Sequence, residues 1–310
     1  MKRILLAATT ALAMVVAGAT GVNAKELRWG FQTDTDSLDP HAHAVTFTIG
    51  FLGNVYEGLV RRDGDLKIKP ALAESWTVSD DATVWRFNLR KGVKFSNGND
   101  FTADDVLFSY KRMSDKDAQM KIALASIKEA RKVGDHTVEF ITHAPNPILT
   151  GRMNGFFIMD KEWSEANGAT KVTVMAGDTQ KVSPAGQTAM GTGPFAITER
   201  TAQVKTTLVP NKSWWGKASH NLTKVTMTPV KQDATRVAAL LSGELDMAYP
   251  IPTQDINRVN SNNGTSVLVG PELRTIFVFM EQGGDKLFGT DTKNPFQDVR
   301  VRKALYHSIN

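Results

Sequence analysis

Residues 223–248 read TKVTMTPVKQDATRVAALLSGELDMA, and this stretch decides the fold class. Residues 223–229 alternate, with Val225 and Met227 on one face, which predicts a half-buried strand. Asp233 stands where a helix cap is expected, and Val237, Leu240 and Leu241 keep helical spacing behind it. Gly243 occupies the position of a left-handed helix stop, and Leu245–Ala248 returns as a strand. Strand, helix and strand in so short a span form a unit of the α/β kind.

Upstream of it, Gly191-Thr192-Gly193-Pro194-Phe195 predicts a loop of fixed shape entering a strand at Ala196. Lys25–Gly30 is a short strand with Leu27 and Trp29 on one face, followed by a polar loop from Thr33 to His41. Residues 47–60 place Phe47, Phe51, Val55 and Leu59 four apart, which predicts a helix that Gly58 ends. Residues 61–150 read as an α+β unit. Trp85, Phe87 and Leu89 share one face of a strand over 83–89, and Asn97-Gly98 marks a tight turn. A helix then starts at Thr102, with Asp104 and Asp105 in its first turn and Val106, Leu107, Tyr110 and Met113 as its buried stripe. Gly134-Asp135 turns the chain into a strand over 137–142, which Pro145 and Pro147 end. Residues 166–193, rich in Gly, Thr and Ala, are a loop-bearing return segment. Near the end, Asp298 caps a helix with Val301, Ala304, Leu305 and Ile309 at apolar positions. No stop signal follows before Asn310, so the pattern predicts a fragment of a longer protein.

The first 24 residues carry Lys2 and Arg3, an apolar run from Ile4 to Ala17, and the small-residue site Val22-Asn23-Ala24. That order predicts a cleavable secretory signal, a mature start near Lys25 and a periplasmic location. Cysteine is absent, which rules out disulfides, thiol catalysis and Cys-based metal sites. The 310 residues carry 37 Lys and Arg against 32 Asp and Glu, a net +5. Removal of Lys2 and Arg3 leaves +3, spread without any block of like charge, so no nucleic-acid partner is expected.

Catalytic signatures are missing. The chain has no Gly-x-Ser-x-Gly elbow, no His-Glu-x-x-His and no phosphate-binding Gly-x-x-x-x-Gly-Lys loop, so no enzyme and no cofactor is expected. His41 and His43 form a His-x-His pair, but no carboxylate–His pattern completes a metal site. Asp34 and Asp36 lack the spacing of a calcium loop and read as solvated surface. Trp76 and Trp85 are expected in the core, and Trp214-Trp215 at a packed loop.

Several blocks, in order, resemble the family-5 extracellular solute-binding proteins, the receptors of bacterial dipeptide, oligopeptide and nickel ABC importers. They are Ser37–His41 with Tyr56–Val60, PALAESW at 70–76, WRFNLRKGVKF at 85–95 with FTADDV at 101–106, GTGPF at 191–195, Trp215–Lys217, LSGELD at 241–246 and FQDVRVRKAL at 296–305. The resemblance implies a periplasmic-binding-protein type two-lobe α/β fold with an inserted α+β domain. Residues 25–56 and 188–270 would form the first lobe, 57–187 the inserted domain, and 271–310 the start of a second lobe largely missing from this chain. It implies a monomeric receptor that captures a small peptide or peptide-like solute by hinge closure and passes it to an inner-membrane ABC permease. A nickel-chelate, opine or sugar receptor of the same fold is the alternative, and a periplasmic hydrolase on a borrowed fold a more distant one. The loop after Asp39-Pro40-His41 faces the cleft in such proteins, so His43, Ala44, Val45 and Thr46 are the expected ligand-lining residues, with His41 structural. The charged anchors of the ligand are expected beyond Asn310.

Overall fold

The computed structural model describes residues 25–174, 182–272 and 276–309. The expected signal segment lies outside them. The chain divides into two units, residues 1–269 and 270–310.

Within the first unit the chain runs β1 (Lys25–Phe31), α1 (Thr46–Leu52), β2 (Val60–Arg62), β3 (Ile68–Pro70), β4 (Ala73–Val78), β5 (Val84–Leu89), α2 (Ala103–Met113), β6 (Ile127–Gly134) and β7 (Thr137–Thr142). It continues through α3 (Leu149–Arg152), α4 (Lys161–Ala166), β8 (Phe195–Thr201), β9 (Lys205–Pro210), β10 (Leu222–Pro229), α5 (Asp233–Leu241), β11 (Met247–Tyr249) and α6 (Ile256–Ser261). The second unit carries a helix, α7 (Val299–Ser308), whose first turn is capped by the Asp298 side chain on the Arg300 N–H.

Five strands form a mixed sheet in the order β11-β1-β10-β9-β8. β1 sits between β10 and β11 and runs parallel to both, and α5 links those two neighbours. The segment 223–248 therefore folds as the α/β unit its pattern predicts. Gly30 lets the Leu245 side chain approach, because a Cβ there would stand 2.4 Å from Leu245 Cδ1. The cap of α5 differs from expectation. Gln232 takes the cap position without a side-chain bond, and the Asp233 carboxylate turns to Arg236 instead.

A separate antiparallel sheet, β4-β5-β7-β6, comes from residues 73–142. The alternation over 83–89 holds, since Trp85, Phe87 and Leu89 are buried. The two sheets own separate apolar clusters. One gathers Leu72, Phe87, Phe95, Phe101, Phe140 and Phe156, and the other Phe31, Phe51, Tyr56, Phe195, Val225 and Met227. Residues 156–159 form the partition. Phe156 and Ile158 point into the first cluster, Phe157 and Met159 into the second, as a period of two in extended chain requires.

α1 is shorter than its periodicity predicts, ending at Leu52 rather than at Gly58. Val55 and Leu59 are buried as the spacing demands, but in a turn and a bend beyond the helix. The reason is the return loop. Gly193 N–H donates to Val55 O at 2.8 Å and Phe195 N–H to Asn54 O at 2.9 Å. A Cβ on Gly191 would lie 2.0 Å from Val55 O, so glycine alone permits the approach. Pairing with GTGPF overrides local helix propensity.

Candidate functional site

In open α/β sheets, ligands bind at the carboxyl ends of parallel strands. Here those ends are Phe31, Pro229 and Tyr249. Phe31 stacks on Phe47 of α1 at 3.7 Å between ring centroids and on Tyr249 at 5.4 Å. Phe31 is buried, while Tyr249 is 47 % exposed, so the stack presents one aromatic face to solvent. Beside it, Gln32, Thr33, Pro229, Lys231, Gln232 and Asp233 line an open depression of 740 Å³.

Arg236 fixes the rim. Its guanidinium is fully buried and donates to Val230 O at 2.7 Å and to Pro250 O at 2.9 Å. One side chain thus ties together the residues that follow β10 and β11. A buried cation is tolerated when every donor finds an acceptor.

The approach to α1 is held from below. Asp39 accepts from Arg112 Nη1 at 2.7 Å and Nη2 at 2.6 Å, and from the backbone N–H of His41 and Thr173. Both side chains are withdrawn from water. Burial opposes charge on Asp39, but the Arg112 bonds and charge prevail and hold its carboxyl below the usual range. His41 bonds Phe157 O through Nε2 at 2.9 Å and faces Arg112 Nη1 through Nδ1 at 3.1 Å. Arg112 can only donate, so His41 is neutral with its proton on Nε2. Burial first, then the Arg112 charge, lowers its pKa to about 4. With both nitrogens engaged, His41 is structural and withdrawn from metal chemistry. Among the described residues no group of three or more His, Cys, Asp or Glu is placed to hold a metal ion.

The four expected lining residues are not alike. Ala44, Val45 and Thr46 are exposed at the start of α1, whereas His43 is buried with its Nε2 unpartnered. Asp34 corrects another expectation. It is buried, paired with Arg200 at 3.0 Å and bonded to Gln203 N–H at 2.8 Å, while Asp36 is exposed as a solvated residue should be. Arg200 also donates to Thr35 O, so the polar loop is anchored to β8.

Sequence reasoning missed Phe31, Tyr249, Arg236 and Arg112. Phe31 closes the alternation of Leu27 and Trp29, a signal that was present. Arg112 could have been found from α2, where Asp105, Ser109 and Arg112 recur at helical spacing and are all buried. They bond the backbone at Lys161, Met159 and Ala169 respectively. The expected stripe residues Leu107 and Tyr110 are only half-buried. Trp85 is buried and Trp76 half-buried against the same core, as expected.

The profile of the bacterial extracellular solute-binding proteins, family 5 (middle region), matches residues 67–310. The chain belongs to family 5. Among its relatives, glutathione-binding protein GsiB of Salmonella paratyphi A is 28 % identical over 306 residues, covering 98 % of this chain and 56 % of that protein. GsiB of Escherichia coli is 26 % identical over 289 residues, covering 93 % and 52 %. The chain therefore spans about half the length of the curated relatives it matches.

Two solved structures show the same fold. The binding protein AgaA in complex with agropinic acid, from Agrobacterium, superposes with a TM-score of 0.68 at 26 % identity, over 77 % of this chain and 46 % of AgaA. The periplasmic binding protein DppA of Helicobacter pylori, in complex with the peptide STSA, gives 0.66 at 26 %, over 76 % and 49 %. Family 5 consists of solute-binding proteins, which are receptors and not enzymes. The expected periplasmic-binding-protein fold is thus shown, with mixed α/β structure.

Proposed function

We propose that this chain supplies the first lobe, its inserted domain and the opening of the second lobe of a periplasmic ABC-importer receptor. Residues 25–56 and 188–270 form the first lobe in this reading, 57–187 the inserted domain and 271–310 the second-lobe start. The solute is a peptide or peptide-like molecule. It lies on the face made by Phe31, Phe47 and Tyr249, with Ala44, Val45 and Thr46 along its edge and His43 shaping the loop from beneath. Closure of a second lobe over that face traps the solute, because a ligand touching both lobes favours the closed population. The loaded receptor then engages an inner-membrane permease.

The observation that carries this reading is the exposed aromatic face at the carboxyl ends of β1 and β11, beside an open depression, in a member of a solute-receptor family. The agropinic acid bound by AgaA favours an opine as the second reading.

A ligand that binds only the native state raises its melting temperature by linkage. The longer protein should therefore gain thermal stability with one member of a panel of di- to hexapeptides, glutathione, opines, sugars and nickel chelates. No shift with any of them, in a protein shown to be folded, contradicts the proposal.

A further inference from the structure

A second cleft opens at the other end of α1. It has a volume of 640 Å³ and lies where α1, the inserted sheet's approach and the return segment meet. The walls are set by Asn54 and Gly58, by Arg61 and Arg62, by Gly155 and Phe157, and by Trp214–Lys217. Ile49 and Gly50 of α1 also line the cleft, so it begins about 5 Å along the helix from Thr46.

Three cations, Arg61, Arg62 and Lys217, face one carboxylate, Glu57, on the walls of the cleft. Arg61 and Lys217 are exposed, and neither has an ion-pair partner among the described residues. Arg62 gives its terminal nitrogens to Leu66 O and Gly151 O, but its Nε is buried without a partner. The carboxylate on the wall, Glu57, is already committed. It accepts from the indole N–H of Trp215 at 2.8 Å, the indole N–H of Trp214 at 3.4 Å and the Thr192 hydroxyl at 2.9 Å. These bonds fix both indoles, and Glu57 makes no ion pair with Arg61, Arg62 or Lys217, so the wall keeps a net positive charge. Arg90 stacks on Trp215, 3.9 Å from its ring centroid, and holds that ring in place.

We propose that this cleft is a binding site for a small organic anion, a carboxylate or phosphate carried on a flat ring. Arg61, Arg62 and Lys217 meet the anionic group, and Trp214, Trp215 and Phe157 receive the ring. Cations without partners beside fixed aromatic walls recognise that combination, since an anion alone gains little from exposed charges and a ring alone leaves them unused. The site is separate from the solute face and independent of it.

Calorimetric titration of the full chain with phenyl phosphate and with benzoate tests the proposal. Inorganic phosphate and benzyl alcohol serve as controls that each lack one half of the chemistry. At least one ring-bearing anion should bind saturably, about tenfold more tightly than either control, and preference between the two identifies the anionic group. The double variant Arg61→Gln/Lys217→Gln should weaken that binding about tenfold with an unchanged melting temperature, while Lys128→Gln on the inserted sheet leaves it unaltered. Absence of saturable binding up to about 10 mM, or equal binding by the double variant, overturns the site. So does loss of the binding on Tyr249→Ala, because the anion then occupies the solute face.

Discussion

Arg112, in the last turn of α2, grips Asp39 in a two-pronged bond of 2.6 and 2.7 Å, 73 residues earlier in the chain. The pair joins α2 to the segment that leads into the proposed solute loop. Removal of one partner leaves a buried charge unmet, which costs about 3–5 kcal/mol. Arg112→Met and Asp39→Asn should each lower chemical stability by that order. In a double-mutant cycle, the combined variant should lose clearly less than the sum, since the pair fails as a unit. Additive losses would show that the two residues act separately.

Acid should weaken the fold through His41. Its pKa is lowered from 6.5 to about 4 in the folded state, so between those values the unfolded chain binds more protons. The stability it contributes is complete above about pH 6.5 and is lost as pH falls through about 4. The full effect is on the order of 3 kcal/mol. Asp105 opposes it. Burial raises its pKa from 3.8 to about 6, so its contribution is complete below 3.8 and is lost as pH rises through 6. Nitrogen-15 NMR should find His41 neutral at pH 5.5 with the proton on Nε2. A charged ring at that pH contradicts the network.

Two glycines should behave in opposite ways. Gly191→Ala forces a methyl group against Val55 O, and Gly64→Ala meets nothing within 4 Å. Backbone on both sides of the first contact cannot yield cheaply, so a loss of at least about 3 kcal/mol is expected there, against about 0.5 kcal/mol or less at Gly64. Urea unfolding of both variants checks the contrast.

Tyr249→Ala should separate binding from folding. The ring is half in solvent and stacks on Phe31, so its removal should leave the melting temperature within a few degrees. In the longer protein it should weaken solute affinity about tenfold, the worth of one well-placed aromatic contact. Unchanged affinity would move the solute away from this face.

Much of the architecture was legible where local pattern and tertiary role agree. The alternation at 83–89, the Thr102–Asp105 start of α2 and the 223–248 unit each carry a local pattern that sets the element's type whatever strand it later pairs with. α1 is shorter than its spacing predicts because its end is set by Gly191 and Gly193, over 130 residues away. The sequence alone makes Asp34 look solvated because the Arg200 that meets it is also distant in sequence. The same holds for the site. The 43–46 loop is expected from resemblance alone, and the Phe31–Phe47–Tyr249 stack and the Arg236 clamp exist only once three strands lie side by side.

The most direct measurement is a crystal structure of the longer protein with its bound solute. The account predicts solute atoms in van der Waals contact with Tyr249 and with the 44–46 segment, enclosed on the far side by the second lobe. A solute bound elsewhere, with the Phe31–Tyr249 face covered by protein in both open and closed forms, would contradict it.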